Sequence, residues 1–339
     1  MIMKSIISVN SRSVYYKGLN NPRGIKFGKD NSLYIAEAGT GGDLNTLNEN
    51  CEQIEPPVGP CSGGFTARIS KITKEKAFKV VAENLPSSQT QQRRVSGVAD
   101  IAFVHETLYG LISGAGCSHG LKNTFNGIIK IKADNEISQF ADLSYFWQSN
   151  PIKMDENLDK EPDGSPYNMI QVNEKLYVLE PNRGELDEID LKGNITKIAS
   201  FSEKFGHIVP SSVIFYNNKF YISNLNTFPV VPDSSRLYEV TMKGDITELA
   251  PKLTAVTALA IDHDNNFYAL ESSTGRGARI EGTGQVVKIN PDETNKEVII
   301  KHLHSPTGMI FNSTGQLFIS NYGFGYPPGS GEILKFFLK

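Results

Sequence analysis

Hydrophobic and polar positions alternate along this chain in a unit that first appears between Asn21 and Gly42. The unit has a short apolar segment from Arg23 to Phe27, a polar turn, and a second segment from Leu33 to Glu37 that is rich in β-branched and aromatic residues. Short alternating segments bounded by glycine and polar residues are typical of β-strands joined by a tight turn. The stretch therefore predicts a β-hairpin with a glycine-rich exit.

This hairpin recurs along the rest of the chain. Its apolar-aromatic-apolar centre is found at Leu33-Tyr34-Ile35, Leu108-Tyr109-Gly110, Leu176-Tyr177-Val178, Phe220-Tyr221-Ile222, Phe267-Tyr268-Ala269 and Leu317-Phe318-Ile319. The spacings, roughly 44 to 75 residues, include those of propeller blades. Third strands are predicted at Ala67 to Thr73, Gly127 to Lys132, Glu185 to Asp190, Arg236 to Thr241, Gln285 to Asn290 and Glu332 to Phe337. Fourth strands are predicted to begin near Ala77, Glu136, Asn194, Asp245 and Asn295.

The sixth repeat has no fourth strand of its own, and the N-terminal segment is a candidate to supply it. Val14 to Gly24 matches Val298 to Gly308, which is a fourth strand leading into the next repeat. A ring closed in this way has no exposed sheet edge that could pair with another chain. We therefore predict one domain over residues 1–339, an all-β, six-bladed β-propeller with four antiparallel strands per blade.

The charge and hydropathy of the chain argue against nucleic acid as a partner and against a membrane span. The chain has 34 Lys and Arg against 37 Asp and Glu, scattered along its length, so it has no basic patch for nucleic acid. No apolar run approaches the roughly 18 residues of a membrane span, and Met1 to Asn20 is interpreted as strand rather than signal peptide. We therefore expect either a cytosolic protein or an exported one whose leader is not part of this sequence. We expect a monomer whose partner is a small molecule, a glycan or a protein.

The cysteines indicate the compartment. Cys51 and Cys61 lie in one proline- and glycine-rich insertion, which has little besides a covalent bond to hold its shape. A disulfide between them predicts an oxidising, extracellular or periplasmic location, whereas the alternative is two free thiols in a reducing compartment. Cys117 has no partner apparent in the sequence, and we interpret it as a buried or semi-buried thiol rather than a nucleophile.

The loop lengths predict which face of the propeller carries function. Turns between first and second strands are short, whereas loops after the second strands and crossings between blades are long and share the opposite face. Residues that end second strands or begin first strands point to the channel on that face. The candidate ligand-binding residues are Arg23, Glu37, Asp100, Tyr167, Asn168, Glu180, Asn224, Glu271 and Asn321.

These polar positions have two interpretations. A ring of carboxylates and amides near an axis could hold Ca²⁺ or supply acid and base groups. Alternatively, a polar residue ends each strand because it hydrogen-bonds the segment that follows. Arg23 has the same ambiguity, since it could neutralise Glu37 or Asp100 or could bind an anionic ligand.

Several stretches resemble the ScyD/ScyE family of secreted bacterial β-propellers. They are the first repeat with its Cys51 to Cys61 insertion, Gly164 to Val172, Asn226 to Val240 and Ser305 to Gly323. The resemblance implies an exported six-bladed propeller and does not imply a reaction. Related six-bladed propellers include calcium-dependent lactonases of the regucalcin type, strictosidine-synthase-like proteins and NHL-repeat binding modules.

Three functions remain open from the sequence. The leading hypothesis is an exported, non-catalytic binding or scaffold module that uses the loop-rich face over the channel. The second is a Ca²⁺-assisted hydrolase of the lactonase or esterase class, for which Glu37, Asp100, Asn168, Glu180 and Glu271 would be the relevant residues. The third is a structural or adhesion protein that uses the rim of the propeller.

Overall fold

The computed structural model describes residues 9–132, 136–152 and 160–338, and these residues form a six-bladed β-propeller. Each blade is one antiparallel sheet, and successive strands of a blade are neighbours in that sheet. This confirms the fold class predicted from the repeats. Among the described residues, neither helix is long and apolar enough to cross a membrane.

The strands follow the predicted repeat. Strand β1 (Val9–Leu19) belongs to the last blade. Blade one contains β2 (Pro22–Phe27), β3 (Leu33–Glu37), β4 (Ser62–Ile72), β5 (Phe78–Gln89) and β6 (Val95–Ser96). Blade two contains β7 (Val98–Val104), β8 (Thr107–Ile112), β9 (Gly127–Ile131) and β10 (Ile137–Asp142). Blade three contains β11 (Asn168–Val172), β12 (Lys175–Glu180), β13 (Glu185–Ile189) and β14 (Ile195–Ser200).

The remaining blades have the same plan. Blade four contains β15 (Pro210–Tyr216), β16 (Lys219–Asn224), β17 (Ser235–Thr241) and β18 (Ile246–Leu253). Blade five contains β19 (Val256–Ile261), β20 (Phe267–Glu271), β21 (Gly284–Ile289) and β22 (Lys296–Leu303). Blade six contains β23 (Gly308–Phe311), β24 (Gln316–Asn321), β25 (Gly331–Leu338) and β1. Two helices, α1 (Leu143–Ser149) and α2 (Ser202–Phe205), follow the fourth strands of blades two and three, and a 3-10 turn covers Cys117–His119.

The N-terminal strand closes the ring as predicted. Strand β1 pairs antiparallel with β25, with Val14 opposite Leu334 and Tyr16 opposite Ile333. The outer position of blade six is therefore filled by the opposite end of the chain, and the two termini are joined by a ladder of main-chain hydrogen bonds. This pairing removes a sheet edge that would otherwise be free.

The core lies between neighbouring blades, because each second strand is buried on both faces. In β12, for example, the four residues from Leu176 to Leu179 are at most 1% exposed. Side chains from adjacent blades interlock, and the rings of Tyr177 in blade three and Phe220 in blade four have centroids 4.7 Å apart. Burying a large apolar side chain stabilises the fold by about 1.5 to 3 kcal/mol, and this interface repeats around the ring.

The predicted pairing of Cys51 with Cys61 is wrong. Cys51 forms its disulfide with Cys117, across a sequence separation of 66 residues, and Cys61 is a buried free thiol. The physical reason is tertiary: the 3-10 turn of blade two packs against the blade-one loop, where the Thr46 hydroxyl donates to the Cys117 carbonyl at 2.5 Å. Cys61 is instead drawn into the start of β4 and buried there. The interpretation of Cys117 as a thiol is corrected by the same observation.

Candidate functional site

The strand bounds separate a face of short turns from a face of long loops. On the loop-rich face lie the segments between second and third strands, such as 38–61, 225–234 and 272–283, together with the crossings between blades. The first strands begin at this face and the second strands end there. Every candidate residue from the sequence therefore lies on or just beneath the loop-rich face.

Five of the candidates end second strands and are at most 1% exposed. They are Glu37, Glu180, Asn224, Glu271 and Asn321. Each hydrogen-bonds the crossing that enters its own blade, at 2.8 Å. Main-chain N–H groups donate to four of these side chains: Asn20 to Glu37, Ser165 to Glu180, Thr254 to Glu271 and His304 to Asn321. The Asn224 side-chain amide instead donates to the Ile208 carbonyl. This position therefore fastens the crossing to its blade in five of the six blades, as the alternative interpretation of the sequence expected, and blade two has Ile112 there instead.

Two of these carboxylates also have cationic partners inside the blade. Arg68 donates to both oxygens of Glu37, at 2.7 and 2.8 Å, and Lys296 lies 2.8 Å from Glu271. Glu180 has no such ion pair among the described residues, and burial raises its pKa to about 7 while the N–H groups of Arg183 and Ser165 oppose the shift. The negative charges of Glu37 and Glu271 are therefore compensated by the protein itself.

The starts of the first strands form a belt between blades. Asp100 accepts from the Asn168 side chain at 2.5 Å and from Met169 N–H at 2.9 Å, and Asn168 accepts from Val213 N–H at 2.7 Å. The belt continues from Ser212 to Leu259, from Thr257 to Pro306 and from Thr307 to Pro22, at 2.6 to 2.9 Å. Asp100 and Asn168 are therefore engaged in holding neighbouring blades together around the channel.

These residues do not fit a calcium site. Ca²⁺ is bound by about six to eight oxygen atoms. The Asp100 carboxylate is instead fully buried against Lys26 at 3.5 Å and its two hydrogen-bond partners from blade three, and burial raises its pKa while Lys26 opposes the shift. No group of three His, Cys, Asp or Glu side chains within residues 9–132, 136–152 and 160–338 converges as a metal site would require.

Arg23 neutralises neither of the carboxylates proposed for it. Its guanidinium donates to the Val95 carbonyl at 2.5 Å, while Glu37 pairs with Arg68 and Asp100 with Lys26. Arg23 instead lines a cavity of about 240 Å³ at the channel entrance on the loop-rich face, which we call the channel mouth. The channel mouth also contains Arg94, Arg279, Tyr167, Phe228 and Phe324.

The three arginines of the channel mouth have no carboxylate partner in the part of the chain that the structure describes. No Asp or Glu oxygen among the described residues lies within 4.0 Å of Arg23, Arg94 or Arg279. Burial lowers the pKa of Arg23, and it lowers the pKa of Arg279 to about 10, with the charges of Arg23 and Arg94 adding to the effect. Arginine side chains carry a positive charge in proteins, so the channel mouth concentrates positive charge, and Arg23 carries its charge in a buried position.

Two phenylalanine rings join these arginines. Phe324 lies against both Arg23 and Arg279, with guanidinium carbons 4.6 and 4.9 Å from the ring centroid. Phe228 lies against Arg279 and Arg94 at 5.8 and 5.7 Å. Cation–π contacts of this kind contribute about 0.5 to 2 kcal/mol each and orient the planar guanidinium groups without neutralising them. The arginines are therefore held in place with their charge available.

Tyr167 lies beside Arg23 at the bottom of the channel mouth. Burial raises the pKa of its phenol, and the nearby charges of Arg23 and Arg279 partly oppose that shift. The hydroxyl is therefore neutral at physiological pH and adds a hydrogen-bonding group next to the guanidinium. Of the candidates from the sequence, only Arg23 and Tyr167 line the channel mouth.

Glu161 is the only carboxylate that the structure describes on the wall of the channel mouth. One of its oxygens lies 3.7 Å from Nε2 of His119, and Nδ1 of His119 lies 3.0 Å from the Ser88 hydroxyl. This Ser-His-Glu order resembles a nucleophile with its base and orienting acid. Ser88 and His119 are only 2% and 3% exposed, however, and neither lines the channel mouth. The trio therefore presents no nucleophile to a ligand there.

Sequence reasoning missed four residues of this site. Arg94, Phe228, Arg279 and Phe324 come from loops of blades one, four, five and six, which share no repeat position. The available signal was the clustering of long loops on one face, and this predicted the correct region but not the side chains. An isolated main-chain bridge between Val230 and Gly277 joins two of these loops and positions Arg279 near Phe228.

Several solved structures resemble this chain in fold. A putative oxidoreductase (glucose dehydrogenase) from Thermus thermophilus has a TM-score of 0.62 at 12% identity, covering 96% of this chain and 99% of that one. A gluconolactonase from Xanthomonas campestris has a TM-score of 0.57 at 10% identity, covering 97% and 89%. A catalytically inactive virginiamycin B lyase from Staphylococcus aureus, solved with quinupristin, has a TM-score of 0.55 at 14% identity, covering 98% and 100%.

At these identities the likeness shows the fold and transfers no activity to this chain. No protein-family model matches the chain, and no curated protein matches its sequence. The fold and the site together define a six-bladed β-propeller with a positively charged, aromatic channel mouth.

Proposed function

We propose that this protein is an exported, non-catalytic binding propeller of the ScyD/ScyE type that holds an anionic small molecule at the channel mouth. One observation carries the proposal: Arg23 and Arg279 are charged and largely enclosed, and no carboxylate among the described residues lies within 4.0 Å of either. Burying a charge without a partner is costly, so such an arrangement persists where a ligand supplies the opposite charge.

The chemistry of the ligand follows from the donors. Guanidinium groups bind carboxylates and phosphates through paired N–H donors, and these charge-assisted hydrogen bonds are about twice as strong as neutral ones. Phe324 and Phe228 leave each arginine with hydrogen-bonding edges that are not used by a described carboxylate. An anion at this position would also relieve the mutual repulsion of Arg23, Arg94 and Arg279.

Two observations support the remaining parts of the proposal. The disulfide between Cys51 and Cys117 is consistent with an oxidising compartment and hence with export. The non-catalytic role is supported by the polar residues at the ends of second strands and the starts of first strands, because they are engaged in scaffold contacts. The burial of Ser88 and His119 away from the lining of the channel mouth supports it as well.

The test is isothermal titration calorimetry with acetate, benzoate, citrate and inorganic phosphate, and with glucose as an uncharged probe. We expect at least one anion to bind with a stoichiometry of one, and we expect Arg279→Met to weaken that binding at least tenfold. Arg276→Met is the matched control, because Arg276 is exposed on the same loop. Absence of binding by every anion, or equal loss in both variants, would contradict the proposal.

The hydrolase hypothesis makes a different prediction. A Ca²⁺-assisted lactonase would turn over a sugar lactone, lose activity with EDTA, and lose it again in Asp100→Asn. That result would replace the binding role with a catalytic one. A structural or adhesion role would appear instead as concentration-dependent self-association in analytical ultracentrifugation, with no effect of Arg279→Met.

A further inference from the structure

Below the arginines of the channel mouth, apolar side chains enter the lining of the channel. A second cavity of about 220 Å³ is lined by the inner faces of the first strands, and we call it the lower channel. Its apolar residues include Ile25, Ile170, Ile214, Ile261, Met309 and Phe311. Ile170, Ile214, Ile261 and Phe311 are each only partly buried, so the lower channel offers apolar surface that the protein itself does not cover.

The channel mouth and the lower channel meet at a shared neck. Ala99, Tyr167, Thr257 and Thr307 line both cavities. The threonine hydroxyls at the neck already donate to main-chain carbonyls of the next blade, at 2.9 Å for Thr257 and 2.6 Å for Thr307. The hydroxyl protons at the neck are therefore already used in hydrogen bonds, and a ligand chain that passes the neck does not have to accept them.

The lower channel has one charged pair, and it is internally satisfied. Lys26 lies 3.5 Å from Asp100, which also accepts from Asn168 and Met169. From the loop-rich face downwards, the channel therefore runs from the arginines of the channel mouth, past the shared neck, to walls where apolar side chains lie beside polar ones such as Asn168 and Ser212. From Thr307 to Phe311 the β23 segment spans about 13 Å along the channel, at about 3.3 Å per residue.

We propose that the ligand of the channel mouth is a single-chain amphiphilic carboxylate. Its acid group would bind between Arg23 and Arg279, and its alkyl chain would pass Tyr167 and lie in the lower channel. This inference rests on the proposed function and deepens it, because it assigns the walls of the lower channel a role that a small hydrophilic anion would leave unused. A flat or highly charged anion would gain nothing from those walls.

The size of the expected effect follows from the hydrophobic contribution of each methylene. Burying one methylene is expected to tighten the dissociation constant about fourfold. Octanoate should therefore bind on the order of tenfold more tightly than hexanoate, and acetate should be much weaker than either. Octanol, which has the same chain without the charge, should bind much more weakly than octanoate because it leaves the arginines unpaired.

The experiment is isothermal titration calorimetry of the full chain with acetate, hexanoate, octanoate and octanol. In Ile170→Phe the larger side chain is placed in the lower channel, and we expect octanoate binding to fall at least tenfold while acetate binding is unchanged. Met309→Phe is a second variant from another blade, for use if the first does not fold. Val298→Phe is the matched control, because Val298 is exposed on an outer strand.

The outcomes separate this inference from the proposed function. If acetate, hexanoate and octanoate bind equally, or if the filled-channel variants keep the full gain in affinity with chain length, the amphiphile is excluded and the anion site stands. If octanol binds as tightly as octanoate, the acid group does not dock on the arginines and the inference is overturned. If no anion binds at all, both proposals fail.

Discussion

The second-strand ends and the channel mouth differ in whether their buried charges have partners of opposite charge within the described protein. At the strand ends, Glu37 accepts four hydrogen bonds from Arg68, Ser70 and Asn20, so its charge is compensated within one blade. At the channel mouth, Arg23 and Arg279 both lie against the Phe324 ring but have no carboxylate partner among the described residues. Both sets are polar residues near the channel axis, so residue type and position alone do not separate scaffold from site.

What separates them is whether the protein completes the interaction. A buried group whose partners come from its own blade stabilises the fold, and its loss leaves those partners unsatisfied. A charged group enclosed without a partner costs stability in the free protein and gains it when a ligand arrives. This contrast predicts that substitutions in the two regions change the free energy of unfolding in opposite directions.

The largest expected effect is at Glu37. Glu37→Ala leaves Arg68 and Ser70 without their partner, and breaking a buried pair of this kind should lower the free energy of unfolding by about 4 kcal/mol. Urea denaturation followed by circular dichroism measures this. Glu83→Ala is the control, because Glu83 is exposed on the neighbouring strand β5.

A small effect at Glu37, equal to that at Glu83, would contradict the assignment of the strand-end carboxylates to the scaffold. The paired variant Glu37→Met with Arg68→Met sharpens the test. Because both partners are then removed together, it should recover part of the stability lost in Glu37→Ala.

The disulfide is expected to have the second largest effect. It joins the long blade-one loop to blade two across 66 residues, and a closed loop of that size stabilises by at most about 4 kcal/mol in the chain-entropy model. Cys117→Ser should lower the free energy of unfolding by about 3 kcal/mol and make it insensitive to dithiothreitol. Cys61→Ala should keep the sensitivity to dithiothreitol, because Cys61 is not bonded. The reverse pattern would restore the pairing predicted from the sequence.

The carboxylates themselves differ in how well they are compensated, which gives a pH-dependent prediction. Burial raises the pKa of Asp187 from 3.8 to about 7, and the charge of Glu185 adds to the shift, while Trp147 donates to one oxygen at 2.8 Å. The unfolded chain therefore loses this proton at lower pH than the folded protein does. The free energy of unfolding should consequently fall as pH rises from about 4 to about 7.

The variant Asp187→Asn removes this titration and keeps an acceptor for Trp147. Relative to wild type it should gain stability as pH rises across that interval, by at most the roughly 4 kcal/mol that a shift of about three pKa units corresponds to. Thermal unfolding from pH 4.5 to pH 7.5 measures the difference. Asp43→Asn is the control, because Asp43 is exposed. A difference between Asp187→Asn and wild type that does not change with pH would show that Asp187 is ionised throughout.

The fold was predictable from the sequence because it is repeated. The apolar-aromatic-apolar centres mark every second strand, and the match of the N-terminal segment to a fourth strand predicted the pairing of β1 with β25. Short fixed turns and period-two alternation are local properties, and local properties can be read residue by residue.

The site was predictable only as a region. Arg94, Arg279, Phe228 and Phe324 come together because loops of four different blades meet above the channel, and no repeat position encodes that meeting. The pairing of Cys51 with Cys117 was missed for the same reason, since it depends on how two blades pack. Conversely, Glu and Asn recur at the ends of the second strands because, in five of the six blades, the side chain at this position hydrogen-bonds the crossing that enters the blade.

The smallest expected effect has the opposite sign, and it tests the comparison most directly. Arg279→Met removes a charge whose pKa is lowered to about 10 by burial and by Arg23 and Arg94, and the new side chain keeps apolar contact with Phe324. Because the lost cation–π contacts offset part of the gain, the free energy of unfolding should rise by only about 1 kcal/mol at pH 7 without ligand. Urea denaturation measures the change, with Arg276→Met expected to lie within about 0.5 kcal/mol of wild type. If Arg279→Met is instead destabilised as strongly as Glu37→Ala, the arginine is a structural group like the strand-end carboxylates. Its charge would then stabilise the fold and would not be available to bind a ligand.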